Sequence, residues 1–508
     1  MTSVGFARVH TAVLIGVTGH LLQVEADVTD GLPRLHETGL TEPVTPETRD
    51  RVRAAVINSG LAWPESRTTV SVLAEGRPQR STSSDLAVAV ALLSASGAVP
   101  ASQLSRWVFL GELGLDGSVR PVRGVLPMVR AAVATGRARV VVPEANAEEA
   151  CQVADTTVVP VRVLSQLAAL LRTEQLEEHA RTCPLPDQRS AGTSVDLADV
   201  RGNPAARRAL EIAAAGGHHI FLQGPAGSPT TMLAERLPTI LPQLDEEAAH
   251  KVRDVYSAAG LYPPDDPMGA RPPLVSPHHT STSAAIFGAA RPGAVSLAHR
   301  GVLYLDDAAE FPATILHRLR RTLDAGTASL LWNGETIPYP ARFTLVLSSP
   351  PCPCATQGCT CTPLVGRRYI SRLAVLLDRV EIRTNVVRPS EFELLRGPRG
   401  EPSTTVAERV AMARERAAVR LADTPWRTNA EIPLLEMQAA YRPAAGALDP
   451  LDHALDTGLV GIASYTRVLR VAWTIADLRG VDIPDHNDVH EALALWKGDP
   501  QDVNEPTA

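Results

Sequence analysis

The chain has 508 residues, 44% hydrophobic and 21% charged, with a formal net charge of -7. That length is too great for one core and predicts roughly two to four domains. The mild negative charge excludes a globally basic nucleic-acid binder and leaves room only for a local patch. Aromatic residues, at 4%, are too scarce for a platform on which single strands stack.

No stretch reaches about 18 uninterrupted apolar residues. The N-terminus lacks a charged region followed by an apolar core and a cleavage site. The sequence therefore predicts a cytoplasmic protein with no membrane partner. Six cysteines in so long a chain do not make a disulfide framework. Cys352, Cys354, Cys359 and Cys361 crowd together, whereas Cys151 and Cys183 stand isolated.

In chain order, residues 1–172 alternate strand-like and helix-like stretches and predict an α/β layer. Val13 to Val17 and Leu21 to Val28 read as strands around a Gly19 turn, and Pro46 to Ser59 reads as a helix with Thr45 as its cap. Asp85 to Ser96 and Pro127 to Thr135 read as helices, and Val108 to Leu115 and Arg139 to Pro143 as strands. The segment from Gly111 to Pro127, GELGLDGSVRPVRGVLP, resembles the Lon-protease-like N-terminal domain of the YifB/ComM family of magnesium-chelatase-like AAA+ proteins. In Lon a Lys deprotonates the catalytic Ser, and Leu126 occupies the matching position. The serines from Ser81 to Ser84 thus have no evident base, and a non-proteolytic scaffold is expected. Residues 173–195, with Glu174, Glu177, Glu178, Pro184 and Pro186, read as a linker.

From Asp196 to His219 the sequence DLADVRGNPAARRALEIAAAGGHH is similar to the family's entry into an ATPase core. Ile220 to Leu222 then reads as a buried strand and Met232 to Leu237 as a helix. The loop between them is close to the P-loop pattern, in which backbone N–H groups and a Lys ammonium surround phosphates. Gly224, Gly227 and Thr231 fit it, with Ser228 inside, whereas Pro229 stands for the second Gly and Thr230 for the Lys. Proline has no N–H to donate, and Thr230 brings no charge, a loss of about 1.5–3 kcal/mol of contact to phosphate. An ordinary Gly/Pro turn is the other reading of these residues.

Pro277-His278-His279-Thr280 matches another family signature; adjacent loop histidines rarely both ligate a metal, so a structural or substrate-facing role is expected. Leu303-Tyr-Leu-Asp-Asp307 reads as an apolar strand ending in carboxylates. The resemblance places Asp306 at the Mg²⁺ shell and Asp307 at the position of the water-polarising Glu, one methylene shorter. A displacement near 1 Å costs on the order of 100-fold in rate. Ala341 to Pro350 reads as the next strand, with Pro350 where the family has a water-orienting Asn.

Two readings of Cys352, Cys354, Cys359 and Cys361 stand: a tetrahedral Zn²⁺ site, or reduced thiols in a structural turn. The segment from Arg367 to Arg379 resembles the one that presents an arginine to the neighbouring subunit. Arg379 is the candidate catalytic finger in trans, Arg372 the second choice, and a surface salt bridge to Asp378 the plain alternative. Beyond Pro389, Glu408 to Ala422, Leu434 to Tyr441, Leu459 to Asp477 and Asn487 to Trp496 predict a helical lid. The family's phosphate-reaching lid arginine falls at Ala463, with Arg467 and Arg470 nearby. The basic clusters at His317 to Arg321 and Arg414 to Arg420 read as solvated helix faces, with a DNA-facing pore as the alternative for the first.

The resemblance implies an α/β protein in order: a Lon-protease-like domain (1–172), the linker, a P-loop AAA+ core with a parallel sheet (196–388), a helical lid (389–498) and a disordered tail (499–508). It further implies ATP and Mg²⁺ as cofactors, a ring oligomer, hexameric in expectation, and ATP hydrolysis coupled to DNA remodelling such as branch migration. Because Lys, loop Gly, catalytic Glu, strand-end Asn and lid Arg are replaced, the residues predict a structural or regulatory ring subunit, with itself or an intact paralogue as partner. An active DNA-remodelling ATPase is the alternative. Magnesium insertion into a porphyrin is a third possibility, resting only on the wider family's name.

Overall fold

The computed structural model describes residues 5–31, 34–38, 46–74, 82–182, 195–262, 271–332, 335–356 and 359–498. Ser81, most of the expected linker and the tail beyond Gly498 lie outside the described residues.

The N-terminal part is an eight-stranded mixed sheet. At its centre Gly5–Ile15 pairs antiparallel with Thr18–Thr29, whose alternating burial puts Leu22, Val24, Ala26 and Val28 on the core face. The turn lies at Gly16, which has φ +66, and not at Gly19; Gly19 is packed so closely that a Cβ would meet the Pro127 carbonyl oxygen at 2.2 Å. The expected strand from Val108 to Leu115 is instead two short ones, Trp107–Phe109 and Glu112–Leu113, because Leu110 and Gly111 turn to cap the start of Asp85–Ala95 through Leu86 N–H to Gly111 O. Part of the expected linker is folded: Leu176 is buried and Arg181–Thr182 adds an edge strand beside Thr157–Val161. Cys151, expected to stand alone, is disulfide-bonded.

The second sheet has five parallel strands in the order Leu274–Val275, Val302–Leu305, Thr344–Ser349, Ile220–Gln223, Ile382–Asn385. Its central strands are apolar runs, as a parallel sheet covered on both faces requires. On one face lie Pro204–Gly216 and Thr230–Ile240, which bury Leu210, Ile212, Leu233 and Leu237 fully. Each such side chain contributes about 1.5–3 kcal/mol of transfer free energy. On the other face Ala313–Ala325 buries Leu316 and Leu319 beside Leu303 and Leu345.

The C-terminal region is helical. Ser403–Arg420 and Ile462–Arg479 pack on Pro204–Gly216, and His486–Lys497 is held at its start by a reciprocal Asp485/Asp488 capping box. The Arg414 to Arg420 cluster is not a solvated face. Arg414 donates to Ala214 O, Arg416 to Asp477 O, and Arg420 pairs with the Asp477 carboxylate at 2.6 Å. Arg318 of the other basic cluster lies 4.3 Å from the Phe287 ring centre and donates to Ser283 Oγ.

The two sheets meet through Val125–Ala134 and Glu246–Ala259. Arg130 pairs with Asp254 at 2.6 Å, and Gly124 N–H donates to Ser257 O. None of the described helices is long and apolar enough to cross a membrane.

Candidate functional site

The strand Ile220–Gln223 is gripped on both sides, so its C-terminal end is fixed, and residues 224–229 form the turn into Thr230–Ile240. Gly227 sits at φ +86, a conformation that L side chains rarely adopt, and a Cβ on Gly224 would approach Val386 O to 2.5 Å. The two glycines that fit the phosphate-loop pattern are thus required by shape. Pro229, at φ −80 and ψ 42, stands immediately before the helix, and its carbonyl accepts from Leu233 N–H.

The loop amides are partly committed. Gly224 N–H donates to Ser349 O, Ser228 N–H to Pro225 O, and Ala226 N–H to Ala355 O at 3.3 Å. The Ser228 hydroxyl is buried and has no partner among the described residues. Arg388 stands beside the loop, its Cδ and Nε 3.7 Å from where a Cβ on Gly227 would lie. Sequence reasoning missed this arginine. It follows Ile382–Asn385 by three residues, and only the parallel pairing of that strand with Ile220–Gln223 brings it to the loop.

One strand further out, Val302–Leu305 carries the acidic pair at its tip. Asp306 Oδ1 accepts from the Tyr304 hydroxyl at 2.6 Å, from Ser348 Oγ at 2.6 Å and from Asp307 N–H at 3.2 Å. The same Tyr304 hydroxyl lies 3.4 Å from Thr231 Oγ1. Burial, reinforced by the bond to Asp306, raises the Tyr304 phenol above its ordinary range, so it stays a donor. Asp306, Thr231 and the phosphate loop, all predicted site residues, are therefore brought together, with Thr230 at the first position of the helix.

Asp307 is exposed and left-handed at φ 47. Burial and then the Asp306 charge raise its carboxyl pKa, against opposite pulls from His279 and His278. The histidine pair therefore belongs to this corner. Its rings lie 4.1 Å apart, and His279 meets Phe311 edge-on at 6.3 Å. Arg372 reaches the same corner through Glu310 at 3.8 Å.

Arg379 is placed elsewhere. It precedes Ile382–Asn385 and so lies at the N-terminal edge of the sheet, opposite the phosphate loop. Its partner is Asp324, bound through Nε at 2.6 Å and Nη2 at 3.1 Å, and not Asp378. Asp324 lies in the last turn of Ala313–Ala325, which packs against Ala374–Leu377 just ahead of Arg379. At this edge a cleft of about 460 Å³ is lined by His219, Arg300, Asp324, Arg342 and Glu431 among others. Of the lid arginines, Arg470 donates to Ile432 O and Arg467 to Ser464 Oγ. Ala463 lies in the first turn of Ile462–Arg479.

Cys352, Cys354, Cys359 and Cys361 converge, their Sγ atoms all within 4.8 Å of one another. Zn–S bonds of about 2.3 Å in a tetrahedron put sulfurs roughly 3.8 Å apart. The donor set and its spacing suit a thiophilic divalent ion. In the N-terminal part, Leu126 is fully buried in the helix Val125–Ala134, and Ser83 Oγ donates to Ala12 O.

The strand order, the loop after the central strand and the acid-tipped neighbour define a P-loop AAA+ fold with a C-terminal helical region. Comparison with known proteins narrows the class. Residues 196–394 match the family described as magnesium chelatase, subunit ChlI; residues 24–146 match subunit ChlI of Mg-chelatase, and residues 400–495 match the ChlI C-terminal family. The chain is 44% identical to the uncharacterized protein Rv2897c of Mycobacterium tuberculosis, over 96% of this chain and 98% of that one. It is 35% identical to YifB of Escherichia coli, over 96% of each, and 32% identical to the competence protein ComM of Haemophilus influenzae, over 93% and 94%. A partial likeness, 30% identity over 35% of this chain, links it to 24% of the Lon protease of Rhizobium meliloti. The chain belongs to the magnesium-chelatase ChlI-like AAA+ family, in its YifB/ComM branch.

Proposed function

We propose that this chain is a ring-forming AAA+ subunit whose own nucleotide site does not sustain ATP hydrolysis, and that it acts structurally or by offering Arg379 to a neighbour's site. One observation carries the reading: Asp306, the carboxylate expected at the Mg²⁺ shell, already accepts from the Tyr304 and Ser348 hydroxyls through Oδ1. Mg²⁺ holds octahedral geometry at about 2.0–2.1 Å, and hydroxyl donors on Oδ1 compete with it for that oxygen. Pro229 and Thr230 remove an amide donor and an ammonium from the loop, so Gly224, Gly227, Ser228, Thr230 and Thr231 keep its shape with little charge. The fit to ATP and Mg²⁺ is poor on these grounds.

Arg379 would be the catalytic arginine for the neighbour, with Asp307 the residual carboxylate of the chain's own site. Both edges would then face other subunits, copies of itself or an intact paralogue, in a ring expected to be hexameric. The four cysteines would hold Zn²⁺. Co-purification from cells and the ATPase rate of the paralogue test the role: a mixed ring whose rate depends on Arg379 supports it, and self-assemblies with no effect on the paralogue oppose it.

A second reading, an active ATPase remodelling DNA, draws on Arg388. Its guanidinium lies beside Gly227 and could supply the charge that Thr230 lacks. Turnover by the purified chain separates the two readings.

A further inference from the structure

The phosphate loop and the cysteine cluster share a hydrogen bond. Cys352 and Cys354 follow the strand Thr344–Ser349 after Pro350 and Pro351, and Cys359 and Cys361 precede the helix Pro363–Ser371. Between the two arms, Ala355 N–H donates to Cys352 O at 3.0 Å and closes a tight turn. Ala355 stands at φ +51, a left-handed conformation uncommon for a residue with a Cβ. That backbone orientation directs its carbonyl onto Ala226 N–H, at 3.3 Å, in the middle of residues 224–229.

We infer that a thiophilic divalent ion held by Cys352, Cys354, Cys359 and Cys361 sets this turn and thereby clamps the Ala355 carbonyl onto the phosphate loop, coupling metal occupancy to the loop's affinity for polyphosphate. The inference rests on reading the four cysteines as metal ligands. Three features of the structure carry the coupling. The ligands flank the strained residue on both sides, so binding one ion through them restricts Ala355 from both directions. Ala355 has no side chain able to hold its own carbonyl in place, so the turn depends on what surrounds it. The carbonyl also brings a partial negative charge to a loop whose remaining donors would otherwise attract anions. Metal loading therefore opposes phosphate, and phosphate opposes the clamp, by the reciprocity of linked equilibria.

The test uses the full chain, stripped with a chelator and titrated with Co²⁺ as a spectroscopic stand-in and with Zn²⁺. Metal binding is read from the thiolate-to-cobalt absorption band, the clamp from hydrogen exchange of the Ala226 amide, and the coupling from inorganic tripolyphosphate affinity. We expect one ion per chain, at least ~10-fold slower exchange at Ala226 on loading, and weaker tripolyphosphate binding by a similar factor, the free-energy equivalent of one decade. Cys359→Ser with Cys361→Ser should abolish all three responses; the titration of the unaltered chain stands on its own if that variant fails to fold. Absence of a thiolate–cobalt band overturns the metal reading. One bound ion with unchanged Ala226 exchange and unchanged tripolyphosphate affinity leaves the metal site standing and overturns the coupling. None of these readouts depends on whether the chain hydrolyses ATP.

Discussion

The Tyr304 hydroxyl donates to Asp306 Oδ1 at 2.6 Å while standing 3.4 Å from Thr231 Oγ1, so a single phenol bridges the two side chains between which a phosphate-bound Mg²⁺ would be held. Replacing Tyr304 by Phe removes that bridge and leaves Ser348 on the carboxylate. Loss of a hydrogen bond to a charged group should cost about 1.5–3 kcal/mol in stability. Mg²⁺-dependent nucleotide affinity should rise instead of fall. Denaturant unfolding and a fluorescent-nucleotide titration with and without Mg²⁺ check the pair; a variant that loses stability with no gain in Mg²⁺ dependence would show that the phenol does not hold Mg²⁺ off Asp306.

Arg388 is tested by Arg388→Ala. A guanidinium at Gly227 contributes to whatever anion affinity the loop retains, so polyphosphate binding should weaken by roughly tenfold, about 1.4 kcal/mol. Arg388 is exposed, so stability should be unchanged within about 0.5 kcal/mol. Calorimetric titration together with thermal melting reads both.

Arg379 pairs with Asp324 at the sheet edge, where the two side chains are 30% and 46% exposed. An ion pair that wet is worth about 0–1 kcal/mol, so Arg379→Ala should fold normally. In a mixed ring with an intact paralogue the same substitution should lower the paralogue's turnover by about 10³-fold or more, the range seen for arginine fingers. Steady-state ATPase assays on reconstituted mixtures decide it, and equal rates with either version would remove Arg379 from the neighbour's site.

A pH dependence follows from His299. It is buried, its Nδ1 accepts from Arg342 N–H at 3.1 Å, and burial, aided by Arg300, Lys251 and Arg342, lowers its pKa to about 4. The folded chain holds it neutral while the unfolded chain takes up the proton near 6.5. Its contribution is therefore fully present above pH 6.5 and lost as pH falls toward 4, on the order of 3 kcal/mol at the acid limit. His299→Gln should flatten unfolding midpoints across that window.

Much of this was legible in the sequence because it depends on local pattern. Ile220 to Leu222 reads as a strand from its apolar run, and residues 224–231 read as a loop close to the phosphate-binding pattern from residue types alone. What escaped depends on register. Tyr304 and Asp306 are two apart and share a strand face, but Ser348 joins them only because Val346 pairs with Tyr304 in the neighbouring strand. Arg388 and Ala355 reach the loop through equally distant pairings. Asp378 adjoins Arg379 in sequence, yet the guanidinium turns to Asp324, 55 positions away. The helix Ala445–Asp456 escaped for a local reason, since Pro450 lies inside it and proline normally argues against a helix interior.

The most direct measurement is ATP turnover by the purified chain with Mg²⁺, beside the variant carrying Pro229→Gly and Thr230→Lys. The unaltered chain should turn over far below the ordinary enzyme range of about 1–10³ s⁻¹, and the double variant should bind nucleotide at least ~10-fold more tightly, a gain of about 1.4 kcal/mol. Turnover of about 1 s⁻¹ or faster by the unaltered chain, abolished by Asp306→Ala, would contradict a site that has lost its chemistry.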